Sequence, residues 1–506
     1  MKRKILKLFM IGFPLLLFWT PLAMASIIPC FADINKDGDI DGTDIQTMAK
    51  EFPPASCSGE CKSDLDHNGS VDADDLRRLA EGIGRIGCPA IDYRLHGLNF
   101  SPYMDGQDPN RGSVVSEDQV RERMQIVAPF TGWVRSFGTT HGLEHIPHVA
   151  REFGLNTAIG AWLSDDAAEN ARQMQNLIAA AQSGQVDLAI VGSEVLLRGD
   201  LSAAELIAFI NQFRAAVPAV TVSTADVYSV LLAHPDVMAA CDVILVNYYP
   251  YWECLPVGHA MARLQDMHQQ MVAAAGGKQV FVSEAGWPSD GEPNCAAVPS
   301  LDNAGDVFLN VVSWARAEHV DYFYFEAFDE AWKAAYEGEV GAHWGIWDKD
   351  GIMKDGMDAV FHDITVPDNW NCQPLPGGTG TPDIEFSYVP PLGGCACTME
   401  GDPQCLLFGT VTHVDPGNYR VAVYIRVGAG WYNKPFWNQR TTPIGCRGLW
   451  QCNIVTDDNG NDKSANTISA FLIPADYDPP EIHGWPDLPP EIYDNAVDYA
   501  VAVRSP

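Results

Sequence analysis

Between about residues 93 and 362 the chain alternates two kinds of hydrophobic pattern. Short runs rich in β-branched and aromatic residues are RLHGLNFSPY, GWVRSFG, GLNTAIGAW, VDLAIVGSE, AVTVSTAD, DVILVNYY, KQVFVSEAG and DYFYFEAF. Longer stretches with helical spacing separate them. One of these, SAAELIAFINQF, opens with a capping box at Ser202 and Glu205 and places Leu206, Phe209, Ile210 and Phe213 on one face. Alternation of strand and helix is the mark of an α/β fold. Eight such units between 91 and 365 predict a (β/α)8 TIM barrel, whose usual size they match. VDLAIVGSE is apolar along nearly its whole length, as in a parallel strand buried on both faces.

The flanks carry other patterns. Residues 366–382, VPDNWNCQPLPGGTGTP, read as a Pro/Gly-rich linker without periodicity. Residues 383–506 hold strand-like runs such as LLFGTVTHV, YRVAVYIRV and TISAFLI, and no long helix. They predict an all-β, sandwich-like domain braced by disulfides. Its aromatics Trp431, Tyr432, Phe436, Trp437 and Trp450 suit either a core or, if exposed, a carbohydrate-binding face. Residues 1–25 read as a signal peptide: basic MKRK, an apolar run interrupted by Lys7 and Pro14, and a small-residue cleavage site at Ala23-Met24-Ala25. That run is short for a membrane span, and no other stretch is long and apolar enough to make one. The expectation is a secreted or cell-surface-associated protein with no membrane span in the mature chain.

Residues 26–90 contain an internal repeat, DINKDGDIDGTD followed by DLDHNGSVDADD. Oxygen-bearing side chains fall at loop positions 1, 3, 5, 9 and 12: Asp33, Asn35, Asp37, Asp41 and Asp44 in one copy, and Asp64, Asp66, Asn68, Asp72 and Asp75 in the other. Asp39 and Ser70 stand at position 7, where a backbone carbonyl completes the ligand set, and a Gly at position 6 allows the sharp turn. With Asp at position 12 and short helices such as TDIQTMAKEF, the segment resembles a dockerin-type duplicated calcium module. The resemblance implies structural Ca2+ and raises a cohesin-like protein as a partner; a calcium-stiffened spacer is the other reading.

Charge narrows the choice of partners. With 66 acidic against 32 basic residues the chain carries a formal charge of −34, which excludes an extended basic face for nucleic acid. A neutral polysaccharide is compatible with it. The 13 cysteines fit an oxidising destination, cluster near both ends, and lack His pairs at zinc-finger spacing. An odd total leaves a thiol over, and Cys241, on a barrel strand, is the candidate.

Two strands end in a carboxylate, Glu194 in VGSEVLLRG and Glu284 in VSEAGWPSD. Strand tips at the C-terminal mouth are where barrel enzymes keep their chemistry, and two carboxyls there suit acid/base and nucleophilic work on an acetal. The strings resemble the active-site motifs of glycoside hydrolase family 17, the β-1,3-glucanase and glucanosyltransferase family, and the resemblance recurs in FEAFDEAWKAAYEGEVGAHWGIWD. It implies Glu194 as acid/base, Glu284 as nucleophile, and further site positions at Glu330, Lys333 and Glu339. Tyr103, Arg135, Asn247, Tyr248, Tyr249 and Trp287 are further cleft candidates for stacking and orientation, each with core packing as the alternative. Ser193 departs from the family, whose acid/base usually follows Asn, and Phe137 stands where Tyr is common. The function so implied is a secreted retaining hydrolase of β-1,3-glucan that needs no catalytic cofactor. Transglycosylation by the same residues is the rival, and a non-catalytic glucan-binding or scaffold subunit is a distant one that retention of both glutamates opposes.

Overall fold

The computed structural model describes residues 34, 39–51, 63, 65, 71–83, 91–367, 370–372, 374–393, 398–399, 402–403, 406–457 and 460–504. Eight strands occupy the centre: β1 (Leu95–Asn99), β2 (Thr131–Arg135), β3 (Asn156–Ala161), β4 (Leu188–Ser193), β5 (Thr221–Val227), β6 (Ile244–Tyr248), β7 (Val280–Ala285) and β8 (Phe323–Tyr324). Each coincides with one of the runs read from the sequence, β2 and β5 extending one residue beyond theirs. Neighbours pair in chain order and in parallel, β8 pairs back onto β1, and a parallel bridge between Val282 and Tyr322 closes the ring. The barrel is therefore continuous, with no open edge.

Strand alternation divides the apolar side chains between two environments. Inward, Ala158, Leu188, Ile190, Ala225, Leu245 and Phe323 fill the barrel interior. Outward, residues such as Ile159, Val191 and Val246 join helix residues including Leu206, Ile210 and Phe213 in one large core. The predicted capping box at Ser202 and Glu205 is present and starts the helix Ala203–Ala216. Helices thus cover the sheet on its outer face, and the strand tips remain free to carry polar residues.

Beyond the barrel, three antiparallel strands run in the order Leu449–Asn453, Leu406–Thr412, Asp383–Tyr388. A second antiparallel sheet is centred on Tyr419–Val427 and Thr467–Pro474. Ile384, Leu407 and Trp450 of the first share a core with Val421, Val423 and Leu472 of the second. Of the aromatic cluster, Trp450 and Trp431 are core residues, Tyr432 is half-buried, and only Phe436 and Trp437 are exposed. The Pro/Gly-rich segment is anchored: Trp370 packs in the barrel core and Cys372 is bonded to Cys446. Cys241 is a free, buried thiol as expected, and Cys254 and Cys452 are free as well.

Near the N-terminus, helices Gly42–Glu51 and Ala73–Gly82 share a small core in which Ile34, Ile40 and Met48 correspond through the repeat to Leu65, Val71 and Leu79. Asp44 accepts from the backbone N–H groups of Ile34 and Asp41 at 2.7 and 2.8 Å. Asp75 accepts from Leu65 and Asp72 in the same way, at 2.6 and 2.8 Å. Asp33, Asn35, Asp37, Asp64, Asp66, Asn68 and Ser70 lie outside the described residues. Among the described residues no helix is long and apolar enough to cross a membrane.

Close approach of β1 to β8 makes Gly97 obligatory. A Cβ there would meet a Phe323 ring carbon at 2.4 Å and the Tyr322 carbonyl oxygen at 2.9 Å. Gly97→Ala should therefore destabilise the barrel by about 1–3 kcal/mol, the usual cost of overpacking. A lower urea midpoint with an unchanged slope is the expected reading.

Candidate active site

The chain leaves β4 through a kink. Gly192 has φ +83°, where a Cβ would sit 2.5 Å from Val195, and Glu194 itself has φ +53°. A left-handed Glu is costly, and such strain concentrates where geometry serves a site. Glu194 N donates to Ala225 O at 2.8 Å and Arg198 N to Glu194 O at 2.9 Å, so β5 and the following turn hold the kink in place. The side chain is thereby aimed into a cleft of about 330 Å³ at the C-terminal mouth, which Glu284, Tyr103, Phe137, Glu330 and Lys333 also line.

The two carboxylates occupy different environments. Glu284 accepts from Arg135 Nη1 and from Tyr249 Oη, both at 2.6 Å. Arg135 is 1% exposed, and it also donates to Asn99 Oδ1 at 2.6 Å and to Ser193 Oγ at 3.1 Å. The buried guanidinium and the phenol hold the Glu284 carboxylate in one orientation through charge-assisted and short hydrogen bonds. Among the described residues no cation is bonded to Glu194 at that range. Burial first, and then the Glu284 carboxylate, push its pKa up to about 7, opposed by a 2.8 Å hydrogen bond from Asn247 Nδ2. Ser283 Oγ in turn donates to Asn247 Oδ1 at 2.6 Å, which fixes the amide with its NH2 toward Glu194.

A second charged group adjoins the pair. Lys333 Nζ donates to both oxygens of Glu326, at 2.5 and 2.6 Å, and lies 2.8 Å from Glu330. Glu330 also accepts from Trp332 Nε1 at 3.0 Å and from Ser101 Oγ. Burial would lower the Lys333 pKa, but the two glutamates outweigh it and hold the ammonium charged. Burial also raises the pKa of Glu326, which one shared lysine only partly offsets.

Of the residues singled out in the sequence, Tyr103, Arg135, Ser193, Asn247, Tyr249, Glu330 and Lys333 join the two glutamates in this network or its cleft. Three do not. Tyr248 is fully buried with its hydroxyl 3.3 Å from His268 on the helix side, and Trp287 is a core residue donating to Val298 O at 3.0 Å. Glu339 points to solvent, 69% exposed, while Glu337, two residues earlier, lines the cleft. The sequence reading missed Glu326, Asn99 and Asp226, whose charge adds to that of Glu284 in raising the Glu194 pKa. Glu326 lies in the same FEAFDE string as Glu330, but at a strand tip the alternation alone does not tell whether it faces in. Among the expected calcium ligands, Asp39, Asp41, Asp44, Asp72 and Asp75 are described, with Asp44 and Asp75 fully buried.

A closed parallel barrel with two glutamates at its C-terminal mouth, one paired with arginine and one held near neutral pKa, is the arrangement of a TIM-barrel glycosidase. Residues 97–345 match the family described as the BtgE/BtgC glycoside hydrolase domain. A glucan 1,3-beta-glucosidase of Candida albicans is 32% identical over 243 residues, which is 44% of this chain and 79% of that protein. A glucan 1,3-beta-glucosidase of Saccharomyces cerevisiae is 29% identical over 282 residues, 51% of this chain and 90% of that one. Among solved structures, a glycoside hydrolase family 17 beta-1,3-glucanosyltransferase from Rhizomucor miehei has 30% identity, spans 52% of this chain and 96% of its own, and gives a TM-score of 0.47. The chain belongs to this glycoside hydrolase family, and the protein is a glycosidase.

The Glu194 carboxyl should titrate near neutrality. Its protonated-carboxyl infrared band, assigned by its loss in Glu194→Gln, should fade as pH rises through about 7. Asn247→Ala removes a bond that favours the charged form, so the band should then persist to higher pH.

Proposed function

We infer that the protein cleaves β-1,3-glucan with retention of anomeric configuration, with Glu284 as nucleophile and Glu194 as acid/base. The contrast between the two carboxylates carries this reading. Glu284, charge-paired to Arg135 and bonded to Tyr249, attacks the anomeric carbon. Glu194, protonated up to about neutral pH, gives its proton to the glycosidic oxygen as that bond breaks. The aglycone leaves, and a covalent glycosyl–enzyme remains. Glu194, now a carboxylate, takes a proton from water as the water attacks the same carbon, and the second inversion restores the configuration.

Substrate choice draws support from the two yeast relatives, both named glucan 1,3-beta-glucosidases. A glucan hydroxyl in place of water would make the same intermediate a transglycosylation donor. The apolar rings of Phe137 and Trp332 in the cleft favour this second reading, since they suit a sugar face better than an ordered water.

Export and calcium belong to the same proposal. Residues 1–25 act as a signal peptide, and the mature protein works outside the cytoplasm, where cysteines can oxidise. Residues 26–90 act as a dockerin-like module that binds calcium, either to engage a cohesin-like partner or as a calcium-stiffened spacer. Buried Asp44 and Asp75, each in the first turn of a helix that follows an acidic stretch of sequence, are donors that suit a hard cation. The barrel occupies 91–365, and the β-rich segment 383–506 is an accessory domain whose exposed Phe436 and Trp437 are available to a polysaccharide.

Glu194→Ala should retain the first step on an activated aryl glycoside, and azide should restore its turnover as a β-glycosyl azide. Glu284→Ala should stay inactive or yield the α-azide; exchanged stereochemistry would reverse the roles. With laminarin, NMR should show the β-anomer first, and cleavage of cellulose with none of laminarin would refute the substrate assignment.

Chelation should reduce the helical circular dichroism of an N-terminal fragment spanning 26–90, and calcium should restore it with one ion per loop. The same treatment should leave laminarin cleavage by the full chain little changed, because the catalytic cleft uses no metal in this mechanism. Loss of cleavage on chelation, regained with calcium, would place the ion in the catalytic domain instead.

A further inference from the structure

On the rim of the barrel mouth, outside the residues that line the catalytic cleft, three donor side chains converge. Glu117 begins the helix Glu117–Val127 after β1, while His145 and His148 lie at the start of the helix Ile146–Glu152 after β2. Both helix starts face the C-terminal mouth, because helices of a βα barrel run antiparallel to its strands. His145 Nδ1 is 3.6 Å from Glu117 Oε2, and His148 Nε2 is 3.4 Å from Glu117 Oε1. One ligand atom from each of the three can be chosen so that all lie within 4.8 Å of one another. The imidazole rings stand nearly perpendicular, at 84° with centroids 5.5 Å apart, so their nitrogens converge on the carboxylate instead of stacking.

We propose that Glu117, His145 and His148 bind a divalent transition-metal ion of the zinc class. Two imidazoles and a carboxylate are a ligand set that zinc takes in tetrahedral sites, with water in the fourth position. Ligand atoms around a tetrahedral zinc stand about 3.3 Å apart. Each histidine lies near that distance from a different oxygen of Glu117, and a set of one atom from each residue fits within 4.8 Å, so a small shift of the carboxylate completes the site. The side chains are 42%, 33% and 32% exposed, which leaves a face open for water and for entry of the ion.

The surroundings favour a cation. Arg121 donates to Glu117 Oε1 at 2.6 Å and holds the carboxylate turned toward the two rings, an outer contact of the kind that orients metal ligands. Arg121 is itself bonded to Glu152 and Asp118, so three carboxylates surround a single guanidinium. The local charge is negative before an ion arrives. Leu143 and Ile146, on either side of His145, line the catalytic cleft. An ion bridging the two helix starts therefore ties together two loops that form the cleft wall.

The test uses the full-length, tag-free protein, stripped with chelator and returned to excess calcium, which fills oxygen sites and competes poorly for imidazole. Cobalt(II) titration should produce the intense visible d–d bands of a four-coordinate site, saturating at one equivalent, and zinc should erase them. His148→Gln and Glu117→Gln should each weaken binding roughly tenfold or more. His362→Gln, at a half-exposed histidine elsewhere, should not. Zinc should raise the melting temperature of the parent protein and not of the two ligand variants, whose own melting curves report their folding. Absence of the cobalt bands in the parent protein, or their survival in both ligand variants, would overturn the proposal and leave an ion-paired surface cluster.

Discussion

A guanidinium that is 1% exposed is the constraint on which the mouth of this barrel depends. Leaving Arg135 unpaired there would cost several kcal/mol, so every partner it has must be held in place by the fold. Those partners come from three other strands: Asn99 ends β1, Ser193 ends β4 and Glu284 is on β7, while Arg135 itself ends β2. Asn99 Nδ2 reaches on to the carbonyls of Ser283 and Phe323 at 3.1 Å, so β8 is drawn in as well. The nucleophile position is thus built into the closure of the barrel.

Once one carboxylate is fixed by arginine, the other is defined by contrast. Glu194 receives a neutral amide in place of a cation, sits near a charge of its own sign, and is aimed by a strained backbone. The Glu326–Lys333–Glu330 group repeats the principle nearby, with one ammonium shared by two buried acids. Electrostatic crowding of this kind destabilises a fold locally and is tolerated where chemistry gains from it.

Much of this was legible in the chain. Short β-branched and aromatic runs set between helically spaced stretches located all eight barrel strands, because a buried parallel strand has little freedom in composition. Glu194 and Glu284 stood out because a carboxylate ending an apolar run is poor packing material. Orientation beyond the strand tips was less legible. Tyr248 and Tyr249 are adjacent in sequence and face opposite ways, one toward His268 and one toward Glu284. Glu337 and Glu339 are separated by a glycine whose φ of +78° and extended ψ turn the chain, so Glu339, the position that the family resemblance implied, faces solvent while Glu337 lines the cleft. Glu326 needed three-dimensional proximity to Lys333 to be recognised at all.

Trp370 and Cys372 have a bearing on how the parts of this molecule move together. With one residue between them, the first is embedded in the barrel core and the second is covalently joined to the β-rich region at Cys446. Arg447, next to that cysteine, reaches back to the Trp370 and Ala262 carbonyls. Such a connection behaves as a bracket and not as a leash. Whatever surface the β-rich region engages, the cleft is presented to it at a set angle and reach, so a polymer gripped there would be offered to the catalytic pair along one track.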